Sequence, residues 1–385
     1  MTDPNPLKVL RDRLDRIDRE LVERAAERQR IVSEIGRIKQ TAGRQLRDFR
    51  REREVLEGVR AHAGAVGLDP TVAATLLTTL IEASLTRQEA ERVALAGRGA
   101  GRRALVIGGR GRMGGWLVRF LHGQGFDTLI VDAACDGDGK TEFRDWRDAP
   151  LDVELIVVAA PIDISRQVIA GLAAAGVGGL VFDVASIKAP LVEVLQQAAG
   201  SGLRVCSLHP MFGPDTRLLA GRHVLLMDCG NAAATSEARA LFEDTMAALV
   251  DVPLAEHDRL MAWILGLSHA LNIVFSAALA DSGIAADRLA EISSTTFQRQ
   301  LDIATDVGAE NPKLYFEIQR LNPHENDALD RLVGTLATLR DAVAAGDEAT
   351  FVGLMRRGGE WTRRHGSARD RLRGGNSADP SQTKN

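Results

Sequence analysis

Between Pro6 and Ala42 the apolar residues Leu7, Leu10, Leu14, Ile17, Leu21, Ile31, Ile35 and Ile38 recur at three- and four-residue steps with no internal proline. That spacing predicts one long amphipathic helix. Thr41-Ala42-Gly43 interrupts it. A second helical pattern runs from about Asp48 to Ala63, Gly64 to Pro70 reads as a turn, and a third helix runs from about Thr71 to Glu91. Three helices of which the first is about 50 Å long do not close a compact monomeric core, so the first helix is expected to cross into a second copy of the chain.

Gly97-Arg-Gly-Ala-Gly-Arg102 is a linker by composition, and after it the hydrophobic period changes. Short apolar runs at Ala104–Ile107, Thr128–Asp132, Leu155–Ala159, Leu180–Asp183 and Arg204–Leu208 alternate with helical stretches, the pattern of a doubly wound parallel sheet buried on both faces. Beyond Pro253 the strand-like runs stop and helical patterns continue to about Arg364. The expected organisation is an all-α three-helix domain (1–96), a linker (97–102), an α/β Rossmann domain (103–253), an all-α domain that completes the substrate pocket and supplies a dimer interface (254–365), and a disordered polar tail (366–385).

Composition narrows the partners. A formal net charge of −4 with interspersed signs offers neither a basic surface for nucleic acid nor a cationic patch for a membrane. Cys135, Cys206 and Cys229 are too widely spaced for a disulfide framework or a zinc site. The N-terminus has no apolar signal core, and no uninterrupted apolar run approaches a membrane span. A cytoplasmic protein with small-molecule partners is expected, and no metal.

The first strand enters Gly109-Arg-Gly111-Arg-Met113-Gly114, a G-x-G-x-x-G motif that opens a helix, and Asp132 ends the next strand. Such a turn brings backbone close to a pyrophosphate at a helix N-terminus, and the acid accepts from the ribose hydroxyls while repelling a 2′-phosphate. NAD is therefore expected as cofactor rather than NADP, with Gly109, Gly111, Met113, Gly114, Asp132 and Pro161 as binding candidates.

Downstream of that motif, Leu208-His209-Pro-Met-Phe-Gly-Pro214, Asp183-Val-Ala-Ser186-Ile-Lys188 and Glu256-His257-Asp258 resemble prephenate dehydrogenase over roughly Arg103 to Arg364. The resemblance implies that His209 takes the proton of the substrate's ring hydroxyl as hydride leaves the same carbon, a task suited to a neutral imidazole. It also implies that Ser186 orients the nicotinamide and the hydroxyl, although that serine is equally placed to cap a helix beginning near Lys188. His269 matches a position associated with substrate and with tyrosine feedback, and His257 reads as packing or support. The chain departs from the family at Asp306, where an arginine usually binds the substrate carboxylate. Arg299, two helical turns earlier, is the candidate substitute, or the substrate is an amino-substituted prephenate.

The first 95 or so residues resemble the all-helical chorismate mutases. Arg11, Arg28, Lys39, Asp48, Arg51, Glu52, Ser84 and Gln88 each fall at a position that family uses. By that resemblance arginines clamp the two carboxylates of chorismate, Lys39 and Gln88 donate to the ether oxygen as its bond breaks, and Glu52 holds the ring hydroxyl. The reaction needs restraint and electrostatics but no covalent step. Arg28 lies on the apolar seam and is expected to meet an anion. Arg11, far around and along the helix, would serve a partner's pocket. Together the resemblances imply a bifunctional, homodimeric chorismate mutase and prephenate dehydrogenase of tyrosine biosynthesis. Two other classes compete: an imine or 3-hydroxyacid reductase, and a non-catalytic NAD-binding redox regulator with a helical dimerisation arm.

Overall fold

The computed structural model describes residues 6–41 and 47–375, and the chain divides into two compact units, Met1–His257 and Asp258–Asn385. The first unit opens with α1 (Pro6–Thr41), α2 (Phe49–Ala65) and α3 (Pro70–Ala96). Asp48 caps α2 by accepting from Arg51 N at 2.9 Å, and Asp69 caps α3 by accepting from Thr71 N at 2.7 Å with Pro70 in the first turn. These caps satisfy backbone donors that a helix start leaves open. Gly97 ends α3 in the left-handed region at φ 56°.

The sheet module follows as β1 (Arg103–Ile107), α4 (Arg112–Gly123), β2 (Asp127–Val131), β3 (Glu142–Phe143), β4 (Leu155–Val158), α5 (Ile162–Ala175), β5 (Leu180–Asp183), α6 (Val192–Gly200), β6 (Val205–Pro210), β7 (His223–Asp228), α7 (Ala232–Ala240) and β8 (Ala248–Asp251). The strand order is β3-β2-β1-β4-β5-β6-β7-β8. Strands β1 to β6 are mutually parallel, as the alternating pattern implied, while β7 runs antiparallel to β6 and β8 parallel to β7. β3, β7 and β8 were not anticipated. β3 has two residues, too few to show a pattern, whereas β7 carries the short apolar run Val224–Met227 and β8 the run Ala248–Val250. The central strands are almost wholly buried and pack with Trp116, Leu117, Leu121, Phe182 and Phe242, as expected where helices cover both faces.

The linker is pinned to the sheet module. Gly99 leaves no room for a side chain against Phe126, its N–H donates to Gln124 O at 2.9 Å, and Arg98 pairs with Glu243 and Asp244.

The helix α8 (Leu254–Met261) crosses the boundary between the units, and a π-turn (Ala262–Gly266) leads into α9 (Leu267–Ala280). Then come α10 (Ala286–Glu291), α11 (Thr295–Gly308), α12 (Pro312–Leu321), α13 (Glu325–Ala345) and α14 (Glu348–Gly375). By length and composition alone Leu254–Ala280 would reach across a membrane, contrary to the reading of the apolar runs. It carries buried Asn272, whose amide bonds Ser268 O and Gln300 at 2.8 Å each, which is the habit of a helix packed in protein. Where a tail was expected from Gly366, α14 continues to Gly375, because Ala, Arg and Leu are good helix formers and extending an existing helix needs no new nucleus. Residues 376–385 of that expected tail lie outside the described residues.

Candidate functional sites

In the helical module α1 meets α3 around Arg28, Ser84 and Gln88. Arg28 Nη1 lies 3.3 Å from both Leu80 O and Ser84 Oγ. Ser84 Oγ stands 2.6 Å from Gln29 Oε1 and 2.7 Å from Leu80 O, and Gln29 Nε2 donates to Leu80 O at 3.0 Å. Gln88 Nε2 donates to Val32 O at 2.8 Å. The approach is close because α1 has Gly36 there: a Cβ at that position would stand 2.9 Å from Gln88 Nε2. Gln29 and Gly36 were not singled out from sequence, and only their positions, next to Arg28 and one helical turn before Lys39, hinted at them.

The expected anionic partner of Arg28 is replaced, among the described residues, by a carbonyl and a hydroxyl. No carboxylate among the described residues pairs with Arg28, and burial pulls its pKa below the ordinary value. Lys39 is half-buried near the α1 C-terminus, and its charge helps hold the Asp48 carboxyl low, behind the larger effect of the N–H of Arg51. Glu52 receives both contacts of a fork from Arg47 at 3.1 Å, and Arg51 is exposed beside Glu54. Arg11 lies on the exposed half of α1, about 25 Å along the axis from Arg28, so it serves no pocket with Arg28 in the same chain.

The glycine turn has the shape its spacing implied, with one addition. Gly108, not Gly109, takes the left-handed conformation at φ 87°, and a Cβ on it would stand 2.5 Å from Ala159 O. A Cβ on Gly114 would stand 2.0 Å from Gly108 O, so the third glycine lets α4 press onto the turn. Gly111 is the α4 N-cap. At the end of β2, Asp132 accepts from Arg110 N at 3.1 Å and Ala134 N at 3.0 Å, while the Arg110 side chain pairs with Glu142 of β3. The glycine turn at a helix N-terminus fits a dinucleotide pyrophosphate, and the acids Asp132 and Glu142 beside it are hostile to a further phosphate. Met113 is half-buried against the core, and Pro161 precedes α5 at the carboxyl end of β4.

His209 is the penultimate residue of β6, at the carboxyl side of the sheet, and is 4% exposed. Its Nδ1 is 2.9 Å from Nε2 of fully buried His257 on α8. Burial first, then His257 and the Lys188 ammonium, drives the His209 pKa well below its ordinary value, which keeps the ring neutral. Lys188, wholly buried, donates to Asp183 Oδ1 at 2.6 Å and to Leu208 O at 2.8 Å, tying β5 to β6 next to the imidazole. Ser186 lies in the β5–α6 loop. It does not cap a helix, because α6 starts only at Val192 with Leu191 in the cap position and no side-chain cap.

In the second unit His269 stacks on Tyr315 with ring centroids 4.2 Å apart, and its buried Nδ1 has no hydrogen-bond partner among the described residues. Burial lowers its pKa. Arg299 and Asp306 are both exposed on α11. Sequence reading missed Glu325, whose two buried carboxylate oxygens lack hydrogen-bond partners among the described residues and press on Gly266 of the π-turn; burial pushes its pKa up to about 7.

Three family models match in succession: chorismate mutase type II over residues 10–89, the nucleotide-binding domain of prephenate dehydrogenase over 135–251, and its dimerization domain over 253–357. The second match begins beyond the glycine turn. The T-protein of Enterobacter agglomerans is 27% identical over 383 residues, covering 97% of this chain and 99% of that protein. The 4-amino-4-deoxyprephenate dehydrogenase of Streptomyces pristinaespiralis is 28% identical over 266 residues, covering 66% of this chain and 88% of that protein. Prephenate dehydrogenase from A. aeolicus, solved with hydroxyphenyl propionate and NAD+, shares the fold with a TM-score of 0.56 at 17% identity, covering 68% of this chain and 98% of that one. With a mutase domain, a nucleotide-binding domain and a dimerization domain in that order along nearly the whole length of a T-protein, the chain belongs to the family that fuses chorismate mutase to prephenate dehydrogenase.

Proposed function

We propose the following division of labour among the residues of a bifunctional enzyme of tyrosine biosynthesis, which rearranges chorismate to prephenate and oxidatively decarboxylates prephenate to 4-hydroxyphenylpyruvate with NAD. The observation that carries it is the buried imidazole pair at the carboxyl end of β6. With Nδ1 of His209 engaged by His257, Nε2 is the atom left to accept a proton. For Nε2 to carry a lone pair, the ring proton must sit on Nδ1 and donate to His257 Nε2, so His257 selects the tautomer. NAD, when bound at the glycine turn, supplies the hydride acceptor. His209 takes the hydroxyl proton, Ser186 orients the hydroxyl, and loss of carbon dioxide completes aromatisation.

In the mutase pocket Arg28 binds a substrate carboxylate, because its charge meets no carboxylate of the described protein. Gln88 spends one amide N–H on Val32 O and keeps the other for the ether oxygen, which Lys39 also meets. Asp48, Arg51 and Ser84 line the site, and Glu52, freed from Arg47, takes the ring hydroxyl. Leu7, Leu10, Leu14, Ile17 and Leu21 of α1 are each more than 40% exposed. A second copy that covers them in a homodimer would also deliver Arg11 to the opposite pocket. The site of action is the cytoplasm, and His269 serves substrate or the inhibitor tyrosine.

A second reading of the substrate rests on Asp306. An acid in place of the usual arginine suits a cationic amino substituent on the ring, and one relative acts, by its name, on 4-amino-4-deoxyprephenate; in the first reading Arg299 binds the carboxylate instead. Supplying chorismate and NAD and following NADH absorbance tests the whole assignment, and repeating it with 4-amino-4-deoxychorismate separates the two substrates. NADH from neither substrate would sink both.

A further inference from the structure

Consecutive residues on a helix project about 100° apart, so one turn of α3 faces two ways. Gln88 turns to α1, whereas Glu89, 5% exposed, turns to the sheet module. Its carboxylate accepts from the backbone N–H of Leu219 at 2.8 Å and from that of Met246. Leu219 belongs to the connection between β6 and β7, the segment that leaves the strand carrying His209. That connection is also held where Met211 N donates to His223 O at 2.9 Å, Trp116 Nε1 donates to Thr216 O at 2.8 Å, Arg112 pairs with Asp215 at 3.0 Å, and Phe212 packs edge-on against Trp116. A carboxylate so buried is tolerated where donors meet it, and here both donors belong to the other module. The pinned linker, with Arg92 donating to Glu243 O at 3.1 Å and Arg98 paired to Asp244, holds α3 against the same surface.

We propose that Glu89, though part of the mutase helix, is a positioning residue for the dehydrogenase reaction: it fixes the β6–β7 connection and through it the placement of His209. The neighbouring Gln88 thereby links the occupancy of one site to the geometry of the other. Near-attack geometry is sensitive to displacements of about 1 Å, which cost up to about a hundredfold in rate. An apolar side chain at position 89 leaves two backbone donors unmet, while glutamine keeps one accepting oxygen.

The test is steady-state kinetics of both reactions on the full-length protein for Glu89→Ala and Glu89→Gln, with the thermal midpoint of each. The expected result is a dehydrogenase kcat reduced about tenfold or more in Glu89→Ala, less in Glu89→Gln, with mutase kcat and the KM for NAD within about twofold of wild type. A dehydrogenase kcat unchanged in Glu89→Ala overturns the proposal, as does a parallel fall of both activities with the thermal midpoint, which would report lost folded protein. The proposal rests on the activities assigned above, and wild-type protein run alongside keeps the two apart: an inactive wild type refutes the assignment, and an active one indifferent to position 89 refutes only the role of Glu89.

Discussion

The α1–α3 module and the sheet module each hold a group proposed to meet an organic anion, and they do so with opposite burial. The sheet module surrounds His209 with its own strands and helices, so desolvation keeps the imidazole neutral without help from another chain. The helical module leaves most of α1 in solvent, and only Ser33 and Gly36 on that helix are buried among the described residues. An α/β layer closes its own core, whereas a long helix paired with two shorter ones exposes an apolar stripe, which the proposed homodimer would cover. Reaction chemistry follows the same division. A proton acceptor needs a dry, tuned site, while a clamp for a dianion needs fixed cations and tolerates an interface.

The largest effect that sharpens this contrast is His209→Asn, which should lower dehydrogenase turnover about a thousandfold and leave mutase turnover unchanged. Because the histidine pKa is depressed, the acid limb of the wild-type dehydrogenase profile should also fall below the ordinary histidine range, and a limb above it would contradict the burial argument. Next is the double change Leu14→Glu with Leu21→Glu, which should dissociate α1 and cut mutase activity about tenfold or more. NAD binding to the self-contained sheet, measured by fluorescence, should persist; equal loss of both would erase the distinction. Third, His257→Leu should lower dehydrogenase kcat about tenfold with little change in the KM for NAD, and His257→Gln, whose amide oxygen can accept from Nδ1–H, should recover most of it.

The smallest effect lies in the second unit. Glu325 has its folded pKa raised from 4.5 to about 7, so the folded protein binds the extra proton and stability is lost as pH climbs from the unfolded value through about 7. Glu325→Gln should flatten that decline and raise the thermal midpoint at pH 8 by about 2 °C. A midpoint that falls at pH 8 would show that the carboxylate is used.

Much of this was readable in the chain because the signals are local. The glycine spacing, the strand after it and Asp132 lie within thirty residues, so turn, helix start and acid follow from backbone geometry alone. The mutase candidates came from the family resemblance, and helical periodicity added only which of them share a face of one helix. The role of Gly108 escaped, although two adjacent glycines after β1 were its signal. Ser186 was weighed as a cap because its distance from the next helix depends on a loop of irregular shape. The contacts of His209 with His257, and of Glu89 with Leu219 and Met246, left no trace, since they join residues 48, 130 and 157 positions apart.

Periodicity, turn chemistry and net charge thus specified most of the elements that form, that a dinucleotide turn opens the sheet, and that Arg28 and Lys39 share a face of α1. The assembled fold decided which imidazole nitrogen is free, that the linker is pinned, that α14 runs on to Gly375, and that a mutase helix grips the connection behind the dehydrogenase histidine. The reason is physical. Local backbone preferences act over a few residues, but desolvation and buried hydrogen bonding depend on what surrounds a group once distant segments have packed.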